Sequence, residues 1–422
     1  MAVAGRTVAG LLALGAVAEV LRTGPAQPGI AVAFALLIWV GEVAHRGGEP
    51  APLGTAGALA YALLGHCAGT PTTHGVPQVV AVTAVALGAG AATRRARGRR
   101  CAEWPPGGPG AASARGPAAD RAARQLLTVA FAAVCFQPLY NSGLVEELVG
   151  HGPGFALLLV VFLVLTGLCD AVLGAAFARA RTGHPYGPLL RDEVRALRGI
   201  GAAVCASSVV MALAVAVVGL WALAVFCVPL LLTQLSFRRY AEVRDTYRQT
   251  IASLARATEI AGYTRPGHAR RVALLAAAVG RELGLSGKDL TLLEYAALMH
   301  DIGQLSLVDP VPAGATALLP VQDQRRIALL GGAVVRQTGV PEEVAEVVER
   351  QADPYRDQPL TARIVRTVNA YVDLSGECGG GPAGPLDALE TLRAGTGCDY
   401  QSEVVESLAR VLARGVALPP PG

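Results

Sequence analysis

The sequence predicts an all-α protein in two parts, a polytopic transmembrane bundle of about eight helices followed by a cytoplasmic all-α domain. Hydrophobic residues make up 52% of the 422 residues and charged residues only 16%, a composition more apolar than that of soluble proteins. The long apolar runs lie within residues 1–236. Residues 263–415 are more polar, follow a helical period and contain no convincing alternating strand.

The apolar segments form two groups, transmembrane helices 1–4 in residues 1–93 and transmembrane helices 5–8 in residues 124–236. Their approximate bounds are 7–21, 29–44, 53–68, 76–93, 124–142, 154–178 and, as two spans joined by a tight turn, 199–236. Two of the short early segments could instead form one re-entrant hairpin.

Residues 94–123 separate the two groups and predict a disordered loop, because R-R-A-R-G-R-R is followed by W-P-P-G-G-P-G. The arginines place this basic, Pro/Gly-rich loop in the cytoplasm by the positive-inside rule. Eight spans then put both termini in the cytoplasm. We therefore expect a multi-pass protein of the inner or plasma membrane, with the lipid bilayer as a partner.

Asp170 is the ionisable residue that lies deepest within a predicted span. Charged groups inside a membrane are costly, so such a residue carries a functional hypothesis. A ligand-sensing or ion-sensing role is one interpretation, and an internal hydrogen bond is the other. A transporter is the rival class for this half of the chain, but no paired broken helices or inverted repeat support it.

Residues 237–262 predict a polar signalling helix that links the two parts. Its apolar positions are three or four residues apart, as in a heptad seam: Tyr240, Val243, Tyr247, Ile251 and Leu254. Packing of this face on the chain's own domain explains the seam, and so does a parallel homodimer through residues 237–262. The sequence leaves both interpretations open.

The charge of the chain does not indicate a nucleic-acid partner. The formal net charge is +4, and nearly all the cationic residues are arginines, with Lys288 as the single lysine. Basic and aromatic residues are not interleaved. The eight cysteines contain no C-x-x-C pair, so the sequence predicts neither a zinc knuckle nor a disulfide framework.

The chemistry-bearing residues lie in the polar part. His300 and Asp301 end the apolar helical run L-L-E-Y-A-A-L-M-H-D-I-G, and His268 begins another helical run 32 residues upstream (300 − 268). Burying these side chains is costly unless something pairs them. A divalent cation does so, because imidazole and carboxylate are its N and O donors. Three such ligands leave positions open for water and a phosphate oxygen.

This pattern resembles the HD superfamily of metal-dependent phosphohydrolases, and within it the HD-GYP branch of cyclic di-GMP phosphodiesterases. H-D-I-G follows a second His at the expected distance, and P-L-T-A-R-I-V-R-T-V-N-A-Y-V-D-L resembles the closing helix of that branch. The resemblance covers about residues 245–375. It implies an HD domain over 263–415, one divalent transition metal (Mn, Fe or Zn), and a phosphate ester or cyclic dinucleotide as substrate.

The resemblance also implies roles for individual residues. His268, His300 and Asp301 match three metal ligands, and Asp301 is the candidate catalytic residue. The fourth ligand falls on Asn369, where the family has Asp. A neutral amide oxygen is a poorer ligand and leaves the site one negative charge short. Asp373, one helical turn later, could reach in instead.

The residues expected near the substrate also depart from the family pattern. Gln304 replaces the Lys that usually follows H-D-I-G, and we take Gln304 and Arg363 as candidate substrate-binding residues. We expect Asp309 to cap a following helix or turn rather than bind metal. The histidines of a second metal are missing, and the G-Y-P loop is shortened to P-Y-R-D-Q-P.

Two functions remain open at this point. The first is a membrane-anchored phosphohydrolase, mononuclear and weakly active, with a nucleotide or cyclic dinucleotide phosphodiester among its candidate substrates. The second is a catalytically degenerate HD domain that binds a nucleotide or a partner protein as a membrane-bound signalling module.

Overall fold

A computed structural model describes residues 2–45, 51–100, 115–150, 152–182, 186–308, 311, 314–377 and 384–415. The described residues are predominantly α-helical, as the sequence predicts. The chain divides into two compact units, Met1–Glu242 and Val243–Gly422. Each unit has a hydrophobic core of its own.

The first unit consists of helices, most of them apolar. They are α1 (Ala2–Thr23), α2 (Pro28–Ala44), α3 (Pro52–Ala62), α4 (Val76–Arg100), α5 (Arg115–Asn141), α6 (Leu144–Val149), α7 (Pro153–Thr182), α8 (Tyr186–Ala196), α9 (Ala202–Val218) and the first part of α10 (Trp221–Ile260). A π-helical turn, Leu197–Gly201, joins α8 to α9. Strands β1 (His66–Cys67) and β2 (Thr70–Pro71) form an antiparallel hairpin between α3 and α4.

Several of these helices are compatible with membrane insertion. Among the described residues, five are long and apolar enough to cross a bilayer, and the bent pair α8–α9 makes a sixth if it counts as one span. The five are α1, α4, α5, α7 and α10. At 17 residues, α2 is apolar but shorter. The predicted count of eight spans is therefore not confirmed.

The predicted span 53–68 differs most from the structure. Helix α3 has 11 residues and ends at Ala62, which is about half the length that a hydrocarbon core requires. Beyond it the chain enters the β-hairpin, whose turn places Ala68 and Gly69 at φ 49° and 78°. A two-residue hairpin turn of this kind needs positive φ angles, and glycine adopts them readily.

The basic loop is shorter than its predicted bounds of 94–123. Helix α4 continues through Arg100, and α5 already begins at Arg115. Arginine and alanine have high helix propensity, which explains why the flanks of this segment are helical. The Pro/Gly-rich centre of the predicted loop, residues 101–114, lies outside the described residues.

Asp170 on α7 forms internal polar contacts. Arg124 on α5 donates two hydrogen bonds to its carboxylate, at 2.8 and 2.7 Å, and the Thr128 hydroxyl donates a third at 3.0 Å. The other edge of the Arg124 guanidinium pairs with Glu193 on α8, at 2.8 Å. This geometry matches the internal hydrogen bond that is the alternative to a sensing role for Asp170. The contacts of Arg124 also link α8 to α5.

The second unit is a bundle around one core. It contains the end of α10 and then α11 (His268–Glu282), α12 (Gly287–Met299), α13 (Val321–Arg336), α14 (Glu342–Arg350), α15 (Leu360–Glu377), α16 (Gly384–Ala394) and α17 (Ser402–Ala413). Among the described residues between α12 and α13 are the 3-10 turns Ile302–Ser306 and Thr316–Leu318. Buried residues on α11 recur at helical spacing, for example Val272, Leu275 and Val279, so one face of this helix lies against the core.

The heptad seam of residues 237–262 is divided between two environments. Ile251 is buried in the core of the second unit, and Leu254 packs against that core. Tyr240, Val243 and Tyr247 are exposed, at 70%, 53% and 46% of their full surface. The C-terminal end of the seam therefore packs on its own unit, whereas the dimer through the rest of the seam stays a prediction.

Candidate metal centre

The four residues of the predicted site come from three helices. His268 is the first residue of α11, preceded by Gly267 at φ 74°. His300 directly follows α12, and Asp301 adopts φ −99° and ψ 4° before the 3-10 turn. Adjacent residues of a regular α-helix point in different directions. The end of α12 thus allows His300 and Asp301 to face one point, and Asn369 on α15 completes the set.

Gly303, two residues after Asp301, lets α13 approach this turn closely. A Cβ atom on Gly303 would lie 2.0 Å from the carbonyl oxygen of Ile327 and 2.7 Å from the amide nitrogen of Gly331. Contacts this short are sterically forbidden. The glycine of H-D-I-G is therefore required for packing, not for chemistry.

Four side-chain atoms converge within the second unit. The Nε2 atoms of His268 and His300 lie 3.4 Å apart. Asn369 Oδ1 is 3.0 Å from the first of these nitrogens and 3.1 Å from the second. Asp301 Oδ2 is 3.3 and 3.1 Å from the same two atoms. All four residues are buried, at 6% exposure or less.

Hydrogen bonds with neighbouring groups orient the converging side chains toward one another. His300 Nδ1 donates a hydrogen bond to the carbonyl oxygen of Ala297 at 2.8 Å, so the neutral imidazole presents the lone pair of Nε2. Asn369 Nδ2 donates to the Thr316 hydroxyl at 3.1 Å, and that hydroxyl donates to Asp301 Oδ1 at 3.1 Å. This chain of bonds turns Asn369 Oδ1 and Asp301 Oδ2 inward. Asp301 Oδ2 accepts no conventional hydrogen bond from the described residues.

The donor set fits a metal ion. Ligand bonds of about 2.1 Å put neighbouring ligand atoms about 3.0 Å apart at octahedral angles and about 3.4 Å apart at tetrahedral angles. The observed separations span 3.0–3.4 Å. His268, His300 and Asp301 are also the set of His, Cys, Asp and Glu side chains, among the described residues, that lie close enough to hold an ion.

Asp373 lies on the opposite side of His268. Its Oδ1 is 3.8 Å from His268 Nδ1, and its Oδ2 accepts a hydrogen bond from the amide of Ala317 at 3.1 Å. This position is behind the imidazole rather than beside the converging atoms. Asp373 therefore faces the far nitrogen of His268 and is not one of the four converging groups.

His300 and Asp301 strongly affect the pKa of each other. Burial lowers the pKa of His300, but the neighbouring Asp301 and the carbonyl oxygen of Ala297 together outweigh that effect and raise this pKa to about 9. Burial raises the pKa of Asp301, but His300 and His268 together outweigh that effect and hold it well below its usual range. Burial also raises the pKa of Asp373 to about 6. The cluster is thus organised around a positive charge.

A cavity of about 200 Å³ opens beside the cluster. His300, Asp301 and Asn369 form one end of it, and Thr316 borders them. Arg366, Asp399 and Tyr400 also line it, together with Gln324 and Gln351. The cavity therefore joins the converging ligand atoms to a cationic side chain and an aromatic ring.

Residues 265–371 match the family model of the HD domain. The cyclic di-GMP phosphodiesterase response regulator RpfG of Xanthomonas campestris pv. campestris (strain 8004) is 34% identical over 70 residues, or 17% of this chain. The chain spans 18% of the length of that relative. Together these findings support an HD-superfamily phosphohydrolase domain in the second unit.

The two candidate substrate-binding residues lie apart from the residues that line the cavity. Gln304 is completely buried, and its amide nitrogen lies 3.4 Å from the carbonyl oxygen of Gly314. Arg363 donates to the carbonyl oxygen of Gln358 at 2.9 Å and to the side chain of Gln401 at 3.0 Å. Both side chains hold neighbouring segments in place. Asp309 lies outside the described residues.

Two residues that border the site were not identified from the sequence. Arg366 lies three residues before Asn369, so helical spacing alone puts both on one face of α15, and this signal could have revealed it. Thr316 lies in an irregular connection, where no periodicity indicates which side chain faces the ligands. Its role is visible only from its bonds to Asp301 and Asn369.

Proposed function

We propose that this chain is a membrane-anchored, metal-dependent phosphohydrolase whose mononuclear centre lies in its HD domain. The convergence of two imidazole nitrogens, one carboxylate oxygen and one amide oxygen carries the proposal. Buried lone pairs repel one another unless a cation or a proton lies between them. The match of residues 265–371 to the HD domain supports the same chemistry.

The residues have distinct tasks in this proposal. His268, His300, Asp301 and Asn369 would hold the ion, which supplies Lewis acidity and a nucleophile at neutral pH when bound. The carbonyl oxygen of Ala297 keeps the proton of His300 on Nδ1. Asp301, whose carboxylate contacts the centre and borders the cavity, is the candidate catalytic residue.

The substrate class that we propose is a phosphate ester. RpfG is named as a cyclic di-GMP phosphodiesterase, so a cyclic dinucleotide is one candidate. The cavity of about 200 Å³ is smaller than the sites of about 300–1,000 Å³ that enclose drug-sized ligands. We therefore favour a small phosphate ester, or a larger one of which only the phosphoryl end is enclosed.

A specific observation favours a second candidate, a degenerate HD domain that binds a nucleotide or partner without hydrolysing it. Asn369 contributes a neutral oxygen, so Asp301 is the sole carboxylate among the four converging groups. A centre with less negative charge binds a hard or borderline cation more weakly. In this alternative the cavity would recognise its ligand through hydrogen bonds and charge alone.

The first unit would anchor the domain in the inner or plasma membrane, with both termini in the cytoplasm. Its long apolar helices support the anchoring, and the orientation of the termini rests on the arginines of residues 94–123 and the positive-inside rule. Helix α10 continues from the first unit into the second and would carry a signal between them. The exposed residues Tyr240, Val243 and Tyr247 would pair with a second copy of the chain.

The experiment that tests this function is a hydrolysis assay on the full-length protein in detergent. The probes are p-nitrophenyl phosphate, bis(p-nitrophenyl) phosphate and cyclic di-GMP, each with Mn²⁺, Fe²⁺ or Zn²⁺. We expect slow, metal-dependent turnover of at least one probe and its loss in Asp301→Asn. Asp387→Asn is the matched control, because Asp387 is exposed on α16. Metal binding without turnover of any probe would favour the degenerate domain.

A further inference from the structure

We infer that Arg366 forms an oxyanion subsite beside the metal centre and binds the phosphoryl oxygens of the substrate. The inference rests on the proposed function, since it assigns a binding residue to the same site. Among the described residues that line the cavity, Arg366 is the single Lys or Arg. Its place on α15, three residues before Asn369, puts both side chains on one face of the helix.

The guanidinium of Arg366 is held in a defined position. Nη1 donates a hydrogen bond to the carbonyl oxygen of Asp353 at 2.7 Å. The Cζ atom lies 5.9 Å from the centre of the Tyr400 ring, within the range of a cation–π contact. The side chain is 16% exposed. A cationic group that is already oriented loses little conformational entropy when it binds an anion.

Part of the guanidinium remains available for a ligand. Nη2 lies 3.6 Å from Asp399 Oδ1, which is too long for a hydrogen bond. The Asp399 side chain is 60% exposed, so solvent screens this ion pair. Nε donates no hydrogen bond to any described residue. Nε and Nη2 together form the edge of an arginine that pairs with two oxygens of one phosphate.

The neighbouring groups define what this subsite accepts. Three of the proposed metal ligands form one end of the cavity, and Arg366 lines the same cavity of about 200 Å³. One non-bridging oxygen would face the metal centre while others face the guanidinium. Such an arrangement neutralises charge on the phosphoryl group from two directions, which lowers the barrier to its hydrolysis. The ligand class is thus a phosphate monoester or diester, with its phosphoryl group innermost.

The test measures binding of inorganic phosphate to the full-length, Mn²⁺-loaded protein. Bound Mn²⁺ is quantified by its electron paramagnetic resonance, and phosphate by broadening of its ³¹P resonance. Arg366→Gln keeps a donor for Asp353 but removes the charge. We expect unchanged Mn²⁺ content and a phosphate affinity at least about tenfold lower, because a charge-assisted bidentate pair is lost. Arg366→Lys should recover part of the affinity.

Arg393→Gln is the matched control, because Arg393 is an exposed residue on α16 that pairs with Glu406. It should leave phosphate affinity unchanged. Equal phosphate affinity in Arg366→Gln and wild type, at equal Mn²⁺ content, would overturn the inference. Wild-type protein that binds Mn²⁺ but no phosphate would overturn it too, while the metal centre stands. Failure of the wild type to bind any metal would instead refute the proposed function, and the subsite with it.

Discussion

Asn369 Oδ1 lies 3.0 Å from Nε2 of His268, so a carboxamide occupies the place that we propose for a fourth ligand. The amide is oriented by Thr316, which accepts its N–H at 3.1 Å. The four atoms of the proposed metal site are therefore in place, whereas the site has only one carboxylate. The position of the residue 369 side chain and its strength as a ligand can therefore be tested separately.

Asn369→Asp should strengthen metal binding, because a carboxylate replaces a neutral oxygen at the same distance from both imidazoles. We expect at least about a tenfold gain in Mn²⁺ affinity, measured by competition with a chelator on the full-length protein. Asn369→Ala, which removes the oxygen, should weaken binding. If the Asp and Ala variants bind Mn²⁺ equally well, residue 369 does not contact the ion.

Thr316→Val should weaken metal binding without touching a ligand. The hydroxyl donates to Asp301 and accepts from Asn369, so its loss releases both side chains from their orientation. Removal of such supporting groups typically costs about 10-fold to 100-fold in metal affinity. The control is Thr391→Val on α16, where the hydroxyl bonds only to the carbonyl oxygen of Asp387. Equal Mn²⁺ affinity in the two Val variants would argue against this role.

Glu282 should make the docking of α17 depend on pH. Its carboxylate receives hydrogen bonds from Arg410 at 3.0 Å and from Arg414 at 2.7 Å, and the hydrogen bond from Arg414 in particular lowers the pKa of Glu282. The stabilisation is therefore present above the pKa of an unfolded glutamate, about 4.3. It is lost as the pH falls through the lower folded-state pKa.

Hydrogen exchange of the α17 amides, corrected for the intrinsic effect of pH, measures this dependence. Protection in the wild type should fall as the pH is lowered below about 4.3, and Glu282→Gln should show lower protection at pH 7 with a flatter profile. The effect should be about 0.2–1 kcal/mol per pair, since both arginines are half exposed or more. Identical pH profiles in the two proteins would contradict the prediction.

Val243→Cys should cross-link two copies of the chain in the membrane. Val243 lies on the exposed part of the seam, at 53% exposure. Oxidation should give a dimer band that the wild type lacks. The wild type, which has cysteines of its own, measures any background cross-linking. Asp245→Cys is the control, because Asp245 is exposed and lies on a different face of α10. Equal cross-linking at 243 and 245 would indicate random collision rather than a seam.

The sequence revealed what depends on spacing along the chain. Apolar runs predicted the helices, and the H-D-I-G run with His268 predicted a cluster that the structure brings together. It could not reveal Thr316, whose position depends on an irregular connection. Nor could it show that the segment after Ala62 becomes a hairpin, because a short apolar run fits several structures. Gln304 was singled out for its place in the motif, but its burial follows from the packing of α13 against that turn.

The metal content of the full-length protein shows most clearly whether the HD domain holds a mononuclear metal centre. Protein purified in detergent, loaded with Mn²⁺, Fe²⁺ or Zn²⁺ and freed of excess ion, is analysed by mass spectrometry alongside His300→Ala, Asp301→Asn and the control Asp387→Asn. We expect one ion per chain in the wild type and the control, and loss of that ion in the other two variants. A wild type without stoichiometric metal, or variants of His300 and Asp301 that keep it, would contradict the account.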